Sequence, residues 1–182
     1  MANKQSFTPE EWTKILESTM LAGMAVTAAE PSGLWGLMKE GFASSSALAQ
    51  AKADPGSSEL VKAVVAEYET SEGRSTIQEA LRNRFAGAKP GDAVQRSLDN
   101  LREVSAILAA KAPGDAPAFK AWLSSISQKV AEASSEGGFL GIGGVQVSDA
   151  EKATLGDIAK ALGTSANALP KRRAKAQTSE RC

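Results

Sequence analysis

Apolar residues three and four positions apart recur along most of this 182-residue chain, and this spacing limits what the chain can fold into. Residues spaced in this way share one face of an α-helix, whereas a half-buried strand needs strict alternation of apolar and polar residues. The pattern is cleanest in the segment that carries Phe119, Trp122, Leu123, Ile126 and Val130. Runs of β-branched residues between turn signals, which are typical of strands, are very few. We therefore predict an all-α fold.

Capping residues and breakers divide this pattern into separate helices. Thr8-Pro9-Glu10-Glu11 and Ser148-Asp149-Ala150-Glu151 each have the form of a capping box, with a hydroxyl residue at the N-cap and a glutamate three residues later. Asp92 is the predicted cap of a helix in the middle of the chain. The remaining predicted breaks contain proline or glycine and lie at residues 30–33, 54–56, 71–73, 87–91, 112–115 and 163. The sequence thus predicts a single-domain bundle of six to seven helices, with a Gly-rich loop before the last helix.

Acidic and basic residues balance overall, at 21 each, but their distribution along the chain is uneven. Residues 165–182 carry five positive charges minus one negative charge, or +4, and their basic residues are Lys171, Arg172, Arg173, Lys175 and Arg181. Residues 1–164 therefore carry 16 minus 20, or −4. Because residues 165–182 also lack apolar periodicity, we predict a helical domain at 1–164 and a disordered basic tail at 165–182.

The residue types that are missing exclude several classes of function. The chain has no histidine, and its one cysteine is Cys182, so disulfide frameworks, Cys/His zinc sites and His-based catalysis are excluded. We expect a non-enzymatic protein without a cofactor. The charge of −4 over residues 1–164 argues against a large nucleic-acid-binding face, and we expect no specific nucleic acid as a partner. With no apolar signal-peptide region and no transmembrane segment in the sequence, we expect a soluble, cytoplasmic protein.

A Gly-rich loop covers residues 137–144 and precedes the last predicted helix. Glycines let backbone N–H groups approach an anion, and the N-terminus of a helix favours one, which would suit a phosphate. The sequence lacks the G-x-x-x-x-G-K-[ST] motif, however, and Asp149 places a carboxylate where the anion would sit. Phe139, Leu140 and Ile142 either fill the core at a structural crossing or stand in solvent as a contact for a partner. In the second case they are the predicted interaction site.

Asp149 and Glu151, at the start of the last helix, are the candidate metal ligands. Mg²⁺ and Ca²⁺ need several carboxylate or carbonyl oxygens that converge on one point. Such a site would form if Glu30 and Glu40, which flank an earlier Ser-Gly loop, packed against the start of this helix. If the segments do not meet, these carboxylates are caps and solvated polar groups.

A second acidic cluster consists of Glu67, Glu69 and Glu72, with Arg74 just beyond it. Two carboxylates with perturbed pKa values could act as a general acid and a general base even without histidine. Nothing in the sequence places these residues in a pocket. We therefore interpret the cluster as the solvated end of a helix.

The segment 147–163, VSDAEKATLGDIAKALG, resembles the helix openings of the TerB-like family of tellurite-resistance proteins. The similarity consists of a V-S-x-x-E cap, leucine and isoleucine at helical spacing, and a closing Ala-Leu-Gly. The resemblance implies a small all-helical bacterial protein that is associated with stress response and with metal-linked or membrane-linked complexes. It also implies that Asp149 and Glu151 are cation ligands. The dense aspartate loops of that family are absent from this sequence.

These observations lead to two predicted functions. The first is a protein-interaction module that binds an unidentified protein partner or forms a homodimer. The alternative is a TerB-like stress-response protein that binds a divalent cation or a small ligand. A melting temperature that rises with Ca²⁺, Mg²⁺, Mn²⁺ or Zn²⁺ would favour the alternative, because a ligand that binds only the folded state stabilises it.

Overall fold

The computed structural model describes residues 2–29, 48–89, 91–135 and 147–164. Every regular element in these ranges is a helix and none is a strand, so the prediction of an all-α bundle is confirmed. A 3-10 helix at Lys4–Ser6 precedes the α-helices, and residues 48–53 are also helical. The α-helices are α1 (Pro9–Thr27), α2 (Glu59–Glu69), α3 (Ser71–Phe85), α4 (Asp92–Lys111), α5 (Ala116–Ser135) and α6 (Asp149–Leu162).

Helix α1 lies at the centre of the bundle and contacts α2, α3, α4, α5 and α6. The apolar core is built mainly from α1, α2, α4, α5 and α6. Burying one large apolar side chain in this core contributes about 1.5–3 kcal/mol. Its largest fully buried side chains are Ile15, Leu16, Leu21, Val26, Leu60, Leu101, Leu108, Phe119, Leu123, Ile126, Ile158 and Leu162. The helical spacing read from the sequence therefore identifies the faces that form the core.

Polar side chains from neighbouring helices bind the backbone of α1. Ser127 Oγ of α5 is buried and donates to the Ala22 carbonyl oxygen at 2.9 Å. The Tyr68 hydroxyl of α2 donates to the Leu16 carbonyl oxygen at 2.8 Å. Burial raises the pKa of Tyr68, so the phenol stays protonated and remains a donor. These bonds fix the position of α2 and α5 along α1.

Both predicted capping boxes are present. Thr8 Oγ1 accepts a hydrogen bond from the Glu11 N–H at 3.3 Å, and the Glu11 carboxylate accepts one from the Thr8 N–H at 2.8 Å. The corresponding distances for Ser148 and Glu151 are 3.1 Å and 2.9 Å. Gly163 follows α6 with a φ of 65°, in the left-handed region that favours glycine. The start of α1 and both ends of α6 thus agree with the sequence prediction.

The junction between α2 and α3 is tighter than the sequence predicts. Thr70 alone separates the two helices, as the C-cap of α2 and the N-cap of α3. Residues 71–73 therefore lie in the first turn of α3, and the predicted break at these positions is wrong. A Cβ atom on Gly73 would lie 2.2 Å from the Glu67 carbonyl oxygen. The glycine is needed because the two helices approach too closely for a side chain.

The start of α4 also differs from the prediction. Its N-cap residue is Gly91, which makes no side-chain capping bond. The carboxylate of Asp92 instead accepts a hydrogen bond from the Lys89 N–H at 2.9 Å. The prediction of Asp92 as the cap is therefore wrong by one position, because its carboxylate closes the turn that precedes the helix.

Several predicted features lie outside the described residues. They are the segment at 30–47, the Gly-rich loop within 136–146 and the basic tail at 165–182. The predictions for these three segments therefore stay predictions. Among the helices that the structure does describe, none is both long and apolar enough to cross a membrane.

Candidate functional site

The predicted interaction residues Phe139, Leu140 and Ile142 lie outside the described residues. Their exposure, on which the interaction hypothesis depends, stays a prediction. Glu30 and Glu40, the proposed additional metal ligands, also lie outside the described residues.

Asp149 and Glu151 lie in the first turn of α6 but differ in exposure. Glu151 is 3% exposed, and its carboxylate accepts the Ser148 N–H. The Asp149 side chain is fully exposed, and Lys152 Nζ lies 3.1 Å from its carboxylate. Residues two positions apart on a helix do not face each other, so these carboxylates point in different directions. Within the described ranges, no three His, Cys, Asp or Glu side chains are grouped so that they could hold a metal ion.

The acidic cluster at the end of α2 is divided among separate cations. Glu67 binds Lys4 at 2.9 Å, and this hydrogen bond raises the pKa of Lys4. Glu69 binds Lys52 at 2.6 Å. Arg74 Nη1 donates to the Tyr68 and Glu69 carbonyl oxygens at 3.1 Å and 2.8 Å, which satisfies the end of the helix. These contacts give the cluster a structural role, because Glu67 and Glu69 each pair with a different lysine.

A groove of about 560 Å³ lies between α1 and α3 and is open to solvent. We call it the charged groove. Its residues on α1 recur at helical spacing, as do those on α3, so each set lies on one face of its helix. The groove is lined by Pro9, Glu10, Thr13, Lys14 and Glu17 of α1 and by Ala80, Asn83 and Arg84 of α3.

An ion pair between Glu17 and Arg84 lies at the floor of the charged groove. Arg84 Nε is 2.5 Å from Glu17 Oε2, and the two side chains are 18% and 5% exposed. A buried carboxylate is stable only if a cation or hydrogen-bond donors compensate its charge. The pair therefore fixes the C-terminal part of α3 against α1 and sets the separation of the groove walls.

Arg96 of α4 also binds the C-terminal end of α3. Its Nη1 atom donates to the carbonyl oxygens of Arg84 and Ala86. These carbonyl groups lie at the C-terminus of α3, where backbone acceptors lack partners within the helix and a positive charge is favourable. The position of Arg84, and with it the floor of the charged groove, thus depends on contacts from two helices.

The rim of the charged groove carries the other ionised groups. Lys14 Nζ binds Glu103 Oε2 of α4 at 2.9 Å, and both side chains are partly exposed. Glu10 is exposed, and the Glu10 backbone N–H, assisted by the Thr8 hydroxyl, lowers the pKa of its carboxyl. Glu10 forms no ion pair with any residue that the structure describes. It therefore supplies the one negative charge of the groove lining that no described cation neutralises.

Sequence reasoning missed the charged groove. The signal within α1 is Glu17, a glutamate that directly follows the buried Leu16 and is itself buried. A charged residue in such a position needs a partner. Helix α3 offers Arg74, Arg82 and Arg84, and the sequence does not indicate which of them meets Glu17 across 67 residues. The pairing depends on how the helices are placed, which local patterns do not determine.

The chain matches no family model, no curated protein and no solved structure. The resemblance of residues 147–163 to the TerB-like family therefore stays a prediction.

Proposed function

We propose that this chain is a non-enzymatic protein-interaction module and that the charged groove binds a segment of its partner. The groove is open to solvent, so a polypeptide segment can reach it. Its mixed charges and exposed polar groups resemble the polar, solvent-accessible rim of a protein–protein interface. These properties favour recognition of a macromolecule over enclosure of a small substrate, for which a largely closed pocket is typical.

The observation that carries this proposal is the Glu17–Arg84 ion pair at the groove floor. Because the pair holds α1 and α3 at a fixed separation, a partner would not have to order the walls when it binds. Preorganisation of this kind lowers the entropic cost of association. The same pairing gives no support to catalysis by Arg84, because an arginine stays protonated in proteins and cannot act as a general base.

The proposal is tested by obstructing the groove. Ala80 is half-buried in the wall of α3, so Ala80→Trp would fill part of the groove. Ala106→Trp is the matched control, because Ala106 is an exposed alanine of α4 outside the groove lining. Wild-type protein and both variants, each verified as folded by circular dichroism, are used to capture proteins from the source cell, and the captured proteins are quantified by mass spectrometry.

We expect at least one protein to bind the wild type and Ala106→Trp but not Ala80→Trp. Equal capture by all forms would contradict the proposal, because an obstructed groove would then not affect binding. Sedimentation velocity with the same variants shows whether the partner is a second copy. In that case the wild type and Ala106→Trp would form dimers, whereas Ala80→Trp would remain monomeric.

A further inference from the structure

The charges of the groove identify the chemistry of the segment that it would bind. Arg84 is neutralised by Glu17 at the floor, and Lys14 is neutralised by Glu103 at the rim. Glu10 then remains as a negative charge at the mouth, without an ion-pair partner among the described residues. A cation that enters the groove would gain this interaction, whereas an anion would be repelled by it.

The uncharged lining also suits a long basic side chain. Pro9 and Ala80 present apolar atoms, and Thr13 and Asn83 present oxygen atoms that can accept hydrogen bonds. Thr13 Oγ1 donates its own proton to the Pro9 carbonyl oxygen at 2.9 Å, which leaves its lone pairs as acceptors. Lysine and arginine combine an apolar stem with a cationic head that only donates hydrogen bonds. Such a side chain matches both parts of the groove.

The distribution of charge over the chain supports the same choice. Residues 1–164, which include every residue of the groove lining, carry 16 positive and 20 negative charges, or −4, and this part of the chain favours a basic segment over an acidic one. The guanidinium of Arg84, whose side chain is 18% exposed, does not reverse this preference, because the Glu17 carboxylate already compensates its charge.

We propose that the charged groove binds a lysine or arginine side chain within a flexible basic segment of a partner protein. Its cationic head pairs with Glu10 and its stem lies between Pro9 and Ala80. This inference rests on the proposed function of the groove as an interaction site, and it adds the chemical class of the ligand.

The test uses two short fluorescein-labelled peptides, one of alternating lysine and alanine and one of alternating glutamate and alanine. Fluorescence anisotropy measures their binding to the full chain, to Glu10→Gln and to Glu72→Gln. Glu72→Gln is a matched control, because Glu72 is also an exposed acid in the first turn of a helix and its loss changes the net charge equally. Glu72 does not line the groove.

We expect the lysine peptide to bind and the glutamate peptide not to bind. Glu10→Gln should raise the Kd for the lysine peptide about threefold or more, as expected for a partly shielded ion pair, and Glu72→Gln should leave it nearly unchanged. Equal effects of the two substitutions would overturn the inference, because binding would then follow net charge alone. Preference for the glutamate peptide would overturn it as well.

The two proposals can fail separately. If Ala80→Trp abolishes capture of a partner but binding of the lysine peptide is the same for Glu10→Gln and the wild type, the groove is an interaction site for a ligand of a different chemical class. If Ala80→Trp has no effect on capture, the groove is not the interaction site, and the proposed function fails irrespective of the peptide result.

Discussion

Helix α1 is held by different forces on its two sides. Towards α4, α5 and α6 it contributes to a core of fully buried apolar side chains. Towards α3 it is held through the Glu17–Arg84 ion pair. Only Gly73 and Ile77 of α3 are buried. The apolar side supplies most of the stability, whereas the polar side leaves charged groups accessible for recognition. The candidate site thus lies on the less apolar side of α1.

The largest expected difference between the two sides concerns apolar truncation. Leu101 of α4 is fully buried, and Ile77 is 4% exposed. Leu101→Ala should reduce the free energy of unfolding by about 2–5 kcal/mol, because it leaves a cavity in a core packed from several helices. Ile77→Ala should reduce it by less, about 2 kcal/mol, since the only other buried residue of α3 is Gly73 and less apolar packing surrounds the cavity. Urea unfolding measures both, and equal losses would remove the distinction between the two sides.

The next expected effect concerns the ion pair itself. Arg84→Met leaves Glu17 buried without its cation and should cost about 1–3 kcal/mol, less than for a fully buried pair because the Arg84 side chain is 18% exposed. The double variant Glu17→Met/Arg84→Met should lose less free energy of unfolding than the two single variants lose together. Lys14→Met breaks the exposed pair with Glu103 and should cost at most about 1 kcal/mol. Additive losses in the Glu17 and Arg84 cycle would show that the pair does not hold α3.

Two glycines test whether the position of α3 is set by close backbone contact. Gly73→Ala would place a Cβ 2.2 Å from the Glu67 carbonyl oxygen and should destabilise the protein by about 1–3 kcal/mol. Gly156→Ala in α6 meets no atom within 4 Å and should stabilise the protein by about 0.5–1 kcal/mol through helix propensity. Thermal unfolding compares the two, and a stabilising Gly73→Ala would mean that the junction between α2 and α3 can open freely.

The smallest expected effect is a dependence on pH at the start of α1. The hydrogen bond from Lys111, followed by that from the Thr8 N–H, lowers the pKa of Glu11. A carboxyl with a lowered folded-state pKa adds stability above its unfolded value of about 4.3, and this stability is lost as the pH falls through the folded pKa. The melting temperature of the wild type should therefore exceed that of Glu11→Gln near neutral pH, and the difference should shrink in acid. A difference that is constant with pH would contradict this assignment.

The sequence predicts the helices and the apolar side of α1 well because these features depend on local rules. The capping boxes at Thr8 and Ser148 and the end of α6 at Gly163 each involve residues within a few positions of one another. The predicted helix break at Gly73 is wrong because a glycine that permits close helix contact looks the same in sequence as one that permits a turn. Local rules thus identify where helices form but not how closely they meet.

The charged groove could not be predicted from the sequence. The partner of Glu17 lies in another helix, and the choice of Arg84 depends on the placement of α3, which Arg96 and Gly73 help to fix. The role of Glu10 could not be predicted either, because in sequence it is one of two adjacent glutamates at the start of α1. Glu11 is used by the capping box and Lys111, which leaves Glu10 to face the groove.

The most direct test of the central claim is to locate the binding surface by NMR. Increasing amounts of the lysine–alanine peptide are added to ¹⁵N-labelled protein, and the changes in amide chemical shift are mapped onto the bundle. We expect the largest changes at residues 10–17 of α1 and 80–84 of α3, on the two walls of the charged groove. Changes that cluster on the outer faces of α4 or α6 instead, with the groove residues unaffected, would contradict this expectation.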